Sequence, residues 1–397
     1  MSQHPEAAQP LVDFVPTKKY FVGIDSDGCA MDAMDIKHQE CFTPCYIKFW
    51  DLQPISTLAR QTALFVNLYS VTRGLNRWLA LKQLLDLLRD RVDVAERGVT
   101  IPDYPELGEF TAAPGYPLSD KGIAKFYEDH PSETIARAIR WGDGVNAAIA
   151  DMVHGCGPFP GVREALIALQ DDVDAMTVSA TPLHALTYEW NAHDIAKYMK
   201  VIAGQEMGSK AEHVQYAATG KYDPDKIMLI GDAPGDRDAA KKAQCLYYPI
   251  LPGEEKRSWR RFKDEALQKF LDGTFAGEYQ QMLTAEFNAK LPDEVPWETI
   301  SGTRKVTCPR LSERNQPMPK LVDLTAAPYN LDEGQIAWVE ETLADMTLDE
   351  QVGQLFTNLF FFGVDEFSGN PYTAEEIIEK FHIGIARYHG GTSDKVQ

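Results

Sequence analysis

Short apolar runs that end at polar loops recur along the chain. Residues 20–24 form one such run, which stops at Asp25, and residues 227–230 form another, which stops at Gly231 and Asp232. Runs of this length without polar alternation are typical of strands that are buried on both faces of a parallel sheet. The pattern therefore predicts two buried strands, each followed by a loop that carries a carboxylate.

Strand and helix patterns alternate beyond residue 160. The predicted elements are, in order, a helix at 161–170, a strand at 173–179, a helix at 182–190, a strand at 201–203, a helix at 210–219, a strand at 227–230 and a strand near 245–250. Repeated strand–helix units imply a parallel sheet with helices on both faces, and ligands of such sheets bind beyond the carboxyl ends of the strands. We therefore predict an α/β fold with a Rossmann-like parallel sheet.

The stretch from 31 to 155 has a helical pattern instead. Its apolar residues recur at helical spacing, as in Leu75, Trp78, Leu79, Leu85 and Leu88. We expect an inserted helical cap domain here. The predicted boundaries are an N-terminal tail at 1–19, an α/β core at 20–30 and 156–291, the cap at 31–155, a linker rich in Pro and polar residues at 292–329, and a C-terminal appendage at 330–397.

Charge and composition exclude several classes of protein. The chain has 397 residues and a formal net charge of −20, which opposes binding to nucleic acid or to an anionic membrane surface. Its sequence has no uninterrupted apolar stretch of the roughly 20 residues that span a bilayer. Its six cysteines show neither a disulfide framework nor a zinc-ligand pattern. We expect a cytoplasmic protein without a nucleic-acid or membrane partner.

Four polar features fall near one predicted edge of the sheet. In chain order they are Asp25-x-Asp27, Ser179, Lys210 and the pair Asp232 and Asp236. Each feature alone is also explained by a turn, a helix cap or a solvated charge. Together they supply what phosphoryl transfer to a carboxylate needs, because a divalent cation and hydrogen-bond donors must offset the repulsion between two anions.

The residue types suggest a role for each group. Asp25 would attack the phosphoryl group and become an aspartyl phosphate. Asp27 would protonate the leaving oxygen and then deprotonate the water that cleaves the intermediate. Ser179 and Lys210 would hold the phosphoryl oxygens. Asp232 and Asp236 would complete a Mg²⁺ site.

These motifs resemble those of the haloacid dehalogenase superfamily. Residues 25–32 look like its first motif, residues 173–179 its second, Lys210 its third and residues 231–236 its fourth. The likeness covers residues 20–250. Cys29 departs from the family pattern, which usually has Thr or Val there, and we expect this to affect the packing under the loop more than the chemistry.

The resemblance implies the same roles and adds detail. The residues carried over are Asp25 as nucleophile and metal ligand, Asp27 as acid/base and as a main-chain metal ligand, Ser179 and Lys210 as phosphoryl ligands, and Asp232 and Asp236 as acidic metal-site residues. An Asp at position 27 favours a phosphatase over a dehalogenase, since the dehalogenases lack that acid/base.

Members of this superfamily carry a helical cap that closes over small substrates, which would exclude water. Arg73 and Arg77 are four residues apart and would share a helix face, with Asn67 nearby, so they are candidates to contact an anionic group of the substrate. Lys37 and His38 follow the first loop and are further candidates. The alternative for all five is ordinary surface.

The C-terminal segment resembles the opening of family 3 glycoside hydrolases, at residues 337–356 and 381–385. A complete (β/α)₈ barrel needs about 200 residues or more, so no glycosidase residue is carried over. An apolar helical face is predicted at Leu343, Met346, Leu348, Val352 and Leu355. The α/β core or a second copy of the chain would cover such a face, so a homodimer is one arrangement that it allows.

Three functions fit these observations. We predict a magnesium-dependent phosphatase that acts on a small phosphorylated metabolite. A phosphomutase acting on a sugar phosphate would use the same residues but return the phosphoryl group to a second position. A binding or assembly protein with the same scaffold and no catalytic activity is the third hypothesis.

Overall fold

The structure is a computed structural model that describes residues 4–302, 304–306, 357–360 and 385–388. Apolar runs pair in it into one parallel sheet, whose strands are β1 (Tyr20–Ile24), β2 (Val173–Val178), β3 (Ile202–Ala203), β4 (Ile227–Gly231) and β5 (Leu246–Pro249). Their spatial order is β3-β2-β1-β4-β5. Ile24 pairs with Thr177 of β2 and with Ile230 of β4, so the carboxyl ends of these three strands lie side by side.

Helices fill most of the sequence between the strands. In chain order the α-helices are α1 (Gln9–Val12), α2 (Met34–Ile36), α3 (Thr43–Phe49), α4 (Ser56–Asn67), α5 (Arg77–Asp90), α6 (Val92–Glu96), α7 (Pro105–Ala112), α8 (Asp120–Asp129), α9 (Glu133–Met152), α10 (Val162–Leu169), α11 (Leu183–Ala192), α12 (Lys210–Ala218), α13 (Pro234–Lys242), α14 (Glu255–Arg261), α15 (Leu267–Leu271) and α16 (Glu278–Lys290). Two π-helical segments, Lys37–Phe42 and Phe262–Ala266, lead into α3 and α15.

Both faces of the sheet are covered, because successive side chains of each strand point to opposite sides and both sets are apolar. Val22 of β1 belongs to a core that includes Leu166 of α10 and Trp259 of α14. Phe21 belongs to a second core that includes Val214 of α12. The predicted α/β fold with helices on both faces of a parallel sheet is confirmed.

Helices α2 to α9 lie between β1 and β2 in the sequence and have an apolar core of their own. Trp141 is fully buried there, stacked on Tyr46 with ring centroids 5.0 Å apart and packed edge-on against Trp78 at 5.5 Å. Leu81 and Phe110 belong to the same cluster. We call these helices the insertion, and their aromatic core packs them around one another.

The insertion leaves and rejoins the sheet domain at a single place. Met31 and Pro158 pair there in antiparallel fashion. The amide of Asp32 donates to the carbonyl of Gly157, and the amide of Phe159 donates to the carbonyl of Ala30, each at 2.9 Å. The outgoing and returning chains are therefore bonded to each other beside the loop that follows β1.

The segment predicted as an N-terminal tail is packed on the sheet domain over its described residues. Leu11 of α1 is 1% exposed and belongs to the same core as Phe21. The amides of Thr17 and Lys18 donate to Asp174 Oδ2, both at 2.8 Å. Polar composition predicts a tail here. It does not reveal that the buried carboxylate of Asp174 in β2 needs hydrogen-bond donors, which this segment supplies.

The predicted linker also differs from the structure over the part that is described, residues 292–306. Trp297 packs edge-on against Phe65 of α4, and the Arg91 guanidinium lies 4.2 Å from the Trp297 ring centroid. The amide of Ile300 donates to the carbonyl of Asp90 at 2.8 Å. The Pro-rich composition concealed one aromatic anchor, which is enough to hold this segment on the insertion.

The chain divides into two units, Met1–Arg314 and Asn315–Gln397. In the second unit the described residues form two parallel strands, β6 (Thr357–Phe360) and β7 (Ile385–Tyr388). The apolar helical face predicted at Leu343 to Leu355 lies outside the described residues. The same is true of most of the segment that resembles a glycoside hydrolase.

Two expectations from composition concern membranes and cysteines. Among the described residues, we find no helix that combines the length and the hydropathy needed to cross a bilayer. The five cysteines in the described part of the chain are free thiols, and Cys29, Cys41 and Cys45 are buried. Apolar packing and hydrogen bonds, rather than disulfides, stabilise this part of the molecule.

We predict that Asp174→Ala lowers the free energy of unfolding at pH 7 by about 3 kcal/mol, because it leaves the buried hydroxyl of Tyr222 and the part-buried amides of Thr17 and Lys18 without their acceptor. Burial alone would raise the pKa of Asp174, but the hydrogen bonds from Thr17 and Tyr222 outweigh it and hold that pKa below its ordinary value. The stabilisation is therefore complete above the unfolded pKa of about 3.9 and is lost as the pH falls through the lower folded value. Urea unfolding across this pH range measures it.

The matched control is Asp223→Ala, which removes an exposed carboxylate that pairs with Lys226. Its stability should stay close to that of the unchanged protein. Equal losses in the two variants would contradict the role assigned to Asp174.

Candidate active site

The loop after β1 is held in place by buried hydrogen bonds. The amide of Asp25 donates to the carbonyl of Ile230 at 3.0 Å, which ties the loop to β4. The indole N–H of Trp190 donates to Ser26 Oγ at 2.9 Å, and that of Trp259 donates to the carbonyl of Cys29 at 2.8 Å. Sequence reasoning missed both tryptophans, because each lies more than 160 residues from the loop it supports.

The departure at Cys29 concerns packing. Its side chain is fully buried, and Sγ lies 3.7 Å from the carbonyl oxygen of Ile230. Burial raises the pKa of the Cys29 thiol well above its ordinary value, so the group stays protonated. The thiol is therefore a small apolar group under the loop.

Three carboxylates converge at the carboxyl edge of the sheet. Oxygens of Asp25, Asp232 and Asp236 all lie within 4.8 Å of one another, and the three side chains are buried. We call these residues the acidic cluster. Asp25 follows β1, and the other two residues follow β4, so the pairing of these adjacent strands brings them together.

Lys210 lies between two members of the cluster. Its Nζ is 2.9 Å from Asp25 Oδ2 and 2.5 Å from Asp236 Oδ1. Lys210 begins α12, whose first turn is fixed because the amide of Ser209 donates to Glu212 at 2.7 Å. Burial would lower the pKa of Lys210, but the two carboxylates outweigh it and raise that pKa, so the ammonium stays charged.

Arg73 pairs with Asp232. Its Nη2 lies 2.6 Å and its Nε 2.8 Å from Oδ2, and Nε also lies 3.1 Å from the main-chain oxygen of Asp232. The other carboxylate oxygen, Oδ1, is buried and has no hydrogen-bond partner among the described residues. Burial raises the pKa of Asp232, against the opposing charge of Arg73.

The cluster fits a divalent cation of the Mg²⁺ type. All three side chains offer oxygen, the donor that Mg²⁺ prefers. Burial raises the pKa of Asp25 well above its ordinary value against the charge of Lys210, and the neighbouring carboxylates of Asp236 and Asp232 add to the rise. The cluster is thus short of positive charge, and Oδ1 of Asp232 is a buried oxygen without a hydrogen-bond partner among the described residues.

The side chain of Asp27 bonds to residues outside the acidic cluster. Lys37, at the start of the π-helical segment, places its Nζ 2.7 Å from each carboxylate oxygen of Asp27. The hydroxyl of Thr181 donates to Asp27 Oδ2 at 3.0 Å. Burial alone would raise the pKa of Asp27, but Lys37 and Thr181 outweigh it and the pKa lies below its ordinary value.

Ser179 follows β2 at the same edge of the sheet and is buried. Its amide donates to the carbonyl of Ala203 at 3.0 Å, and its Oγ accepts from the amide of Thr181 at 3.1 Å. The hydroxyl therefore stabilises a turn in this structure. The same turn places Thr181 against Asp27, a contact that the sequence pattern did not indicate.

The prediction that Arg73 and Arg77 share a helix face is wrong. Helix α5 begins only at Arg77. Gly74 precedes it with φ of +72°, which is not a helical conformation, so Arg73 lies outside the helix. Arg77 Nη1 donates to Asn146 at 2.7 Å, and Asn67 Nδ2 donates to the carbonyl of Ala63 at 2.8 Å within α4. Arg73 reaches the acidic cluster, whereas Asn67 and Arg77 bond within the insertion.

His38 packs inside the insertion, stacked on Phe42 with ring centroids 4.7 Å apart. Burial, with a smaller contribution from the charge of Arg73, lowers the pKa of His38 to about 3. The imidazole is therefore neutral at neutral pH. Of the two further candidates, Lys37 contacts a predicted site residue, and His38 is a neutral, half-buried residue stacked on Phe42.

No family model matches the chain. Among solved structures, the chain is similar to a β-phosphoglucomutase from Clostridium difficile, with 16% identity and a TM-score of 0.39 over 66% of this chain and 100% of that one. It is similar to a haloacid dehalogenase-like hydrolase from Streptococcus pneumoniae, with 14% identity and a TM-score of 0.34 over 62% and 92% of the two chains. For a haloacid dehalogenase-superfamily hydrolase of subfamily IA from Geobacter sulfurreducens the values are 13%, 0.30, 59% and 88%.

A stretch of the chain is also 49% identical over 49 residues to a β-N-acetylglucosaminidase/β-glucosidase from Cellulomonas fimi. That stretch is 12% of this chain and 9% of the other protein, so the chain spans less than a tenth of this curated relative. This match is consistent with the resemblance of the C-terminal segment to glycoside hydrolases.

We predict that Gly28→Ala destabilises the protein by about 2 kcal/mol or more, since φ at Gly28 is +76°, a conformation that costs a non-glycine residue of this order. A Cβ there would also lie 2.5 Å from Asp232 Oδ2 and 2.8 Å from Arg73 Nη2. Urea unfolding monitored by circular dichroism measures the loss. Gly235→Ala is the matched control, because a Cβ there meets nothing within 4 Å among the described residues. A Gly28→Ala protein as stable as the Gly235→Ala protein would show that the loop has more room than these distances allow.

Proposed function

We propose that this chain is a magnesium-dependent phosphatase that hydrolyses a small phosphorylated metabolite through an aspartyl phosphate on Asp25. The observation that supports this most directly is the contact of Lys210 with Asp25, beside Asp232 and Asp236, at the carboxyl edge of the sheet. A carboxylate with an ammonium on one oxygen and further carboxylates beside it suits attack on phosphate only when positive charge is supplied.

Asp25 is the proposed nucleophile. In this site the bond that forms joins a carboxylate oxygen of Asp25 to phosphorus, and the bond that breaks joins phosphorus to the leaving oxygen. Lys210 holds Asp25 Oδ2 and offers its charge to the phosphoryl oxygens. A bound Mg²⁺ ion would offset the negative charge that the three carboxylates and the phosphate bring together.

Asp27 is the proposed acid and base. It gives a proton to the leaving oxygen and later takes one from the water that cleaves the aspartyl phosphate. Lys37 and Thr181 hold its carboxylate in one position. Lys37 favours the ionised form of Asp27, which is the form that accepts the proton of that water. The proton gained in this step is the one that Asp27 gives to the leaving oxygen of the next substrate, so the proton balance closes over one turnover.

The substrate class follows from charge and from the insertion. The net charge of −20 opposes a nucleic-acid substrate. The insertion brings Lys37 to Asp27 and Arg73 to Asp232, so it contributes cations directly to the site. We propose that Ser179 and Lys210 bind the transferred phosphoryl group and that the insertion surrounds a small organic remainder.

Asp25→Asn should reduce the release of inorganic phosphate from a generic aryl phosphate to the background rate, because an amide does not form the phosphoryl ester. The assay uses the full chain with Mg²⁺, and a chelator should abolish the activity of the unchanged protein. Asp223→Asn is the control, because it changes an exposed carboxylate that pairs with Lys226, and it should keep full activity. Conversion of a phosphorylated metabolite into an isomer that keeps its phosphate would instead indicate a phosphomutase. If no phosphorylated metabolite is turned over, a binding protein is favoured.

Asp27→Asn should reduce kcat by about 10²- to 10⁴-fold, the usual contribution of a general acid or base. The loss should be smaller for an aryl phosphate than for an alkyl phosphate, because a phenolate leaves without needing a proton. Steady-state kinetics on both substrates measure the two ratios. Equal losses on both substrates would contradict a role in protonating the leaving group.

A further inference from the structure

Arg73 occupies one oxygen of Asp232 and leaves the other free. Its Nη2 and Nε both contact Oδ2, at 2.6 Å and 2.8 Å. Oδ1 of the same carboxylate is buried without a hydrogen-bond partner among the described residues. The guanidinium therefore engages one oxygen of Asp232 and leaves a single oxygen without a partner.

The guanidinium is itself held firmly. Arg73 is 4% exposed, and its Nη1 donates to the carbonyl of Leu68 at 3.1 Å. Its turn is closed by a bond from its own amide to the carbonyl of Ser70 and by a contact of 2.7 Å between the hydroxyls of Ser70 and Thr72. A Cβ on Gly74 would lie 2.9 Å from Ala233 Cβ, so this turn also packs tightly against the loop after β4.

The other two carboxylates of the cluster are restricted in a similar way. Asp25 Oδ2 contacts Lys210. Asp236 Oδ1 contacts Lys210, and its Oδ2 accepts from the amide of Ala233 at 3.0 Å. In Asp25 one oxygen is therefore engaged by Lys210, whereas both oxygens of Asp236 have a partner.

We propose that Arg73 selects Mg²⁺ over Ca²⁺ by holding Asp232 as a ligand with one available oxygen. Mg²⁺ takes six ligands in octahedral geometry and accepts carboxylates through one oxygen, whereas Ca²⁺ takes six to eight and often binds both oxygens of a carboxylate. Arg73 is in this sense a positioning residue for the metal site. The inference rests on the proposed function, which supplies the metal site.

The charge of Arg73 is a separate effect with a different signature. A nearby cation weakens the binding of any divalent ion, so its removal would strengthen Mg²⁺ and Ca²⁺ binding alike. Release of the second oxygen of Asp232 would favour Ca²⁺ in particular. The ratio of the two dissociation constants therefore separates geometry from charge.

The test is isothermal titration calorimetry of the full chain with MgCl₂ and, separately, with CaCl₂. Arg73→Lys keeps the charge but lacks the fork of donors, and Arg73→Gln removes the charge. In both variants we expect Kd(Ca²⁺)/Kd(Mg²⁺) to fall by about tenfold or more, the lower end of the effect of removing a group that orients a metal ligand. Circular dichroism of each variant confirms that it is folded.

Arg91→Lys is the matched control. Arg91 is also buried and also grips one carboxylate with two nitrogens, since its Nε and Nη2 lie 2.8 Å and 2.6 Å from the oxygens of Asp93. Asp93 is not a member of the acidic cluster. This variant should lose stability and keep the ratio of the unchanged protein.

An unchanged ratio in folded Arg73 variants would overturn the inference while leaving the proposed function intact, provided that the unchanged protein binds Mg²⁺. Failure of both Arg73 variants to fold would assign the residue a structural role and would also overturn it. If the unchanged protein binds neither ion, the metal site of the proposed function is wrong, and Arg73 has no metal to select.

Discussion

The site depends on the neutralisation of carboxylates that the sheet forces together. Parallel pairing of β1 with β4 places Asp25 beside Asp232 and Asp236, whatever the charge repulsion among them. Lys210 offsets part of this repulsion from α12, and Arg73 offsets another part from the insertion. Two cations against three anions leave a deficit, which is the electrostatic condition under which a divalent ion binds well.

The insertion belongs to this balance and is more than a cover. It supplies Arg73 to one carboxylate of the cluster, and it supplies Lys37 to Asp27 on the other side of the loop. Each of these contacts joins the insertion to the sheet domain through an ion pair, which is buried for Arg73 and part-buried for Lys37. The position of the insertion and the electrostatics of the site are therefore linked, and a change in one alters the other.

Features coded by short stretches of chain were predictable from the sequence. Apolar runs located β1 and β4, and their polar ends located Asp25 and Asp232, because a buried strand and its loop are adjacent in the sequence. The partners of those residues were not predictable. Arg73 meets Asp232 across 159 positions, through a turn at Gly74 that interrupts the helical pattern. The contacts of Trp297 were not predictable either, since one aromatic residue does not change the composition of a Pro-rich segment.

The antiparallel pairing of Met31 with Pro158 has a consequence for how such a protein can diverge. The two segments that connect the insertion to the sheet domain are bonded to each other, which fixes the point at which the insertion leaves and rejoins the sheet domain. Helices of the insertion that carry neither Lys37 nor Arg73 can be lengthened, shortened or exchanged while β1 and the loop after it keep these contacts. New molecular preferences can therefore arise in those helices while the carboxylates at the sheet edge keep their arrangement.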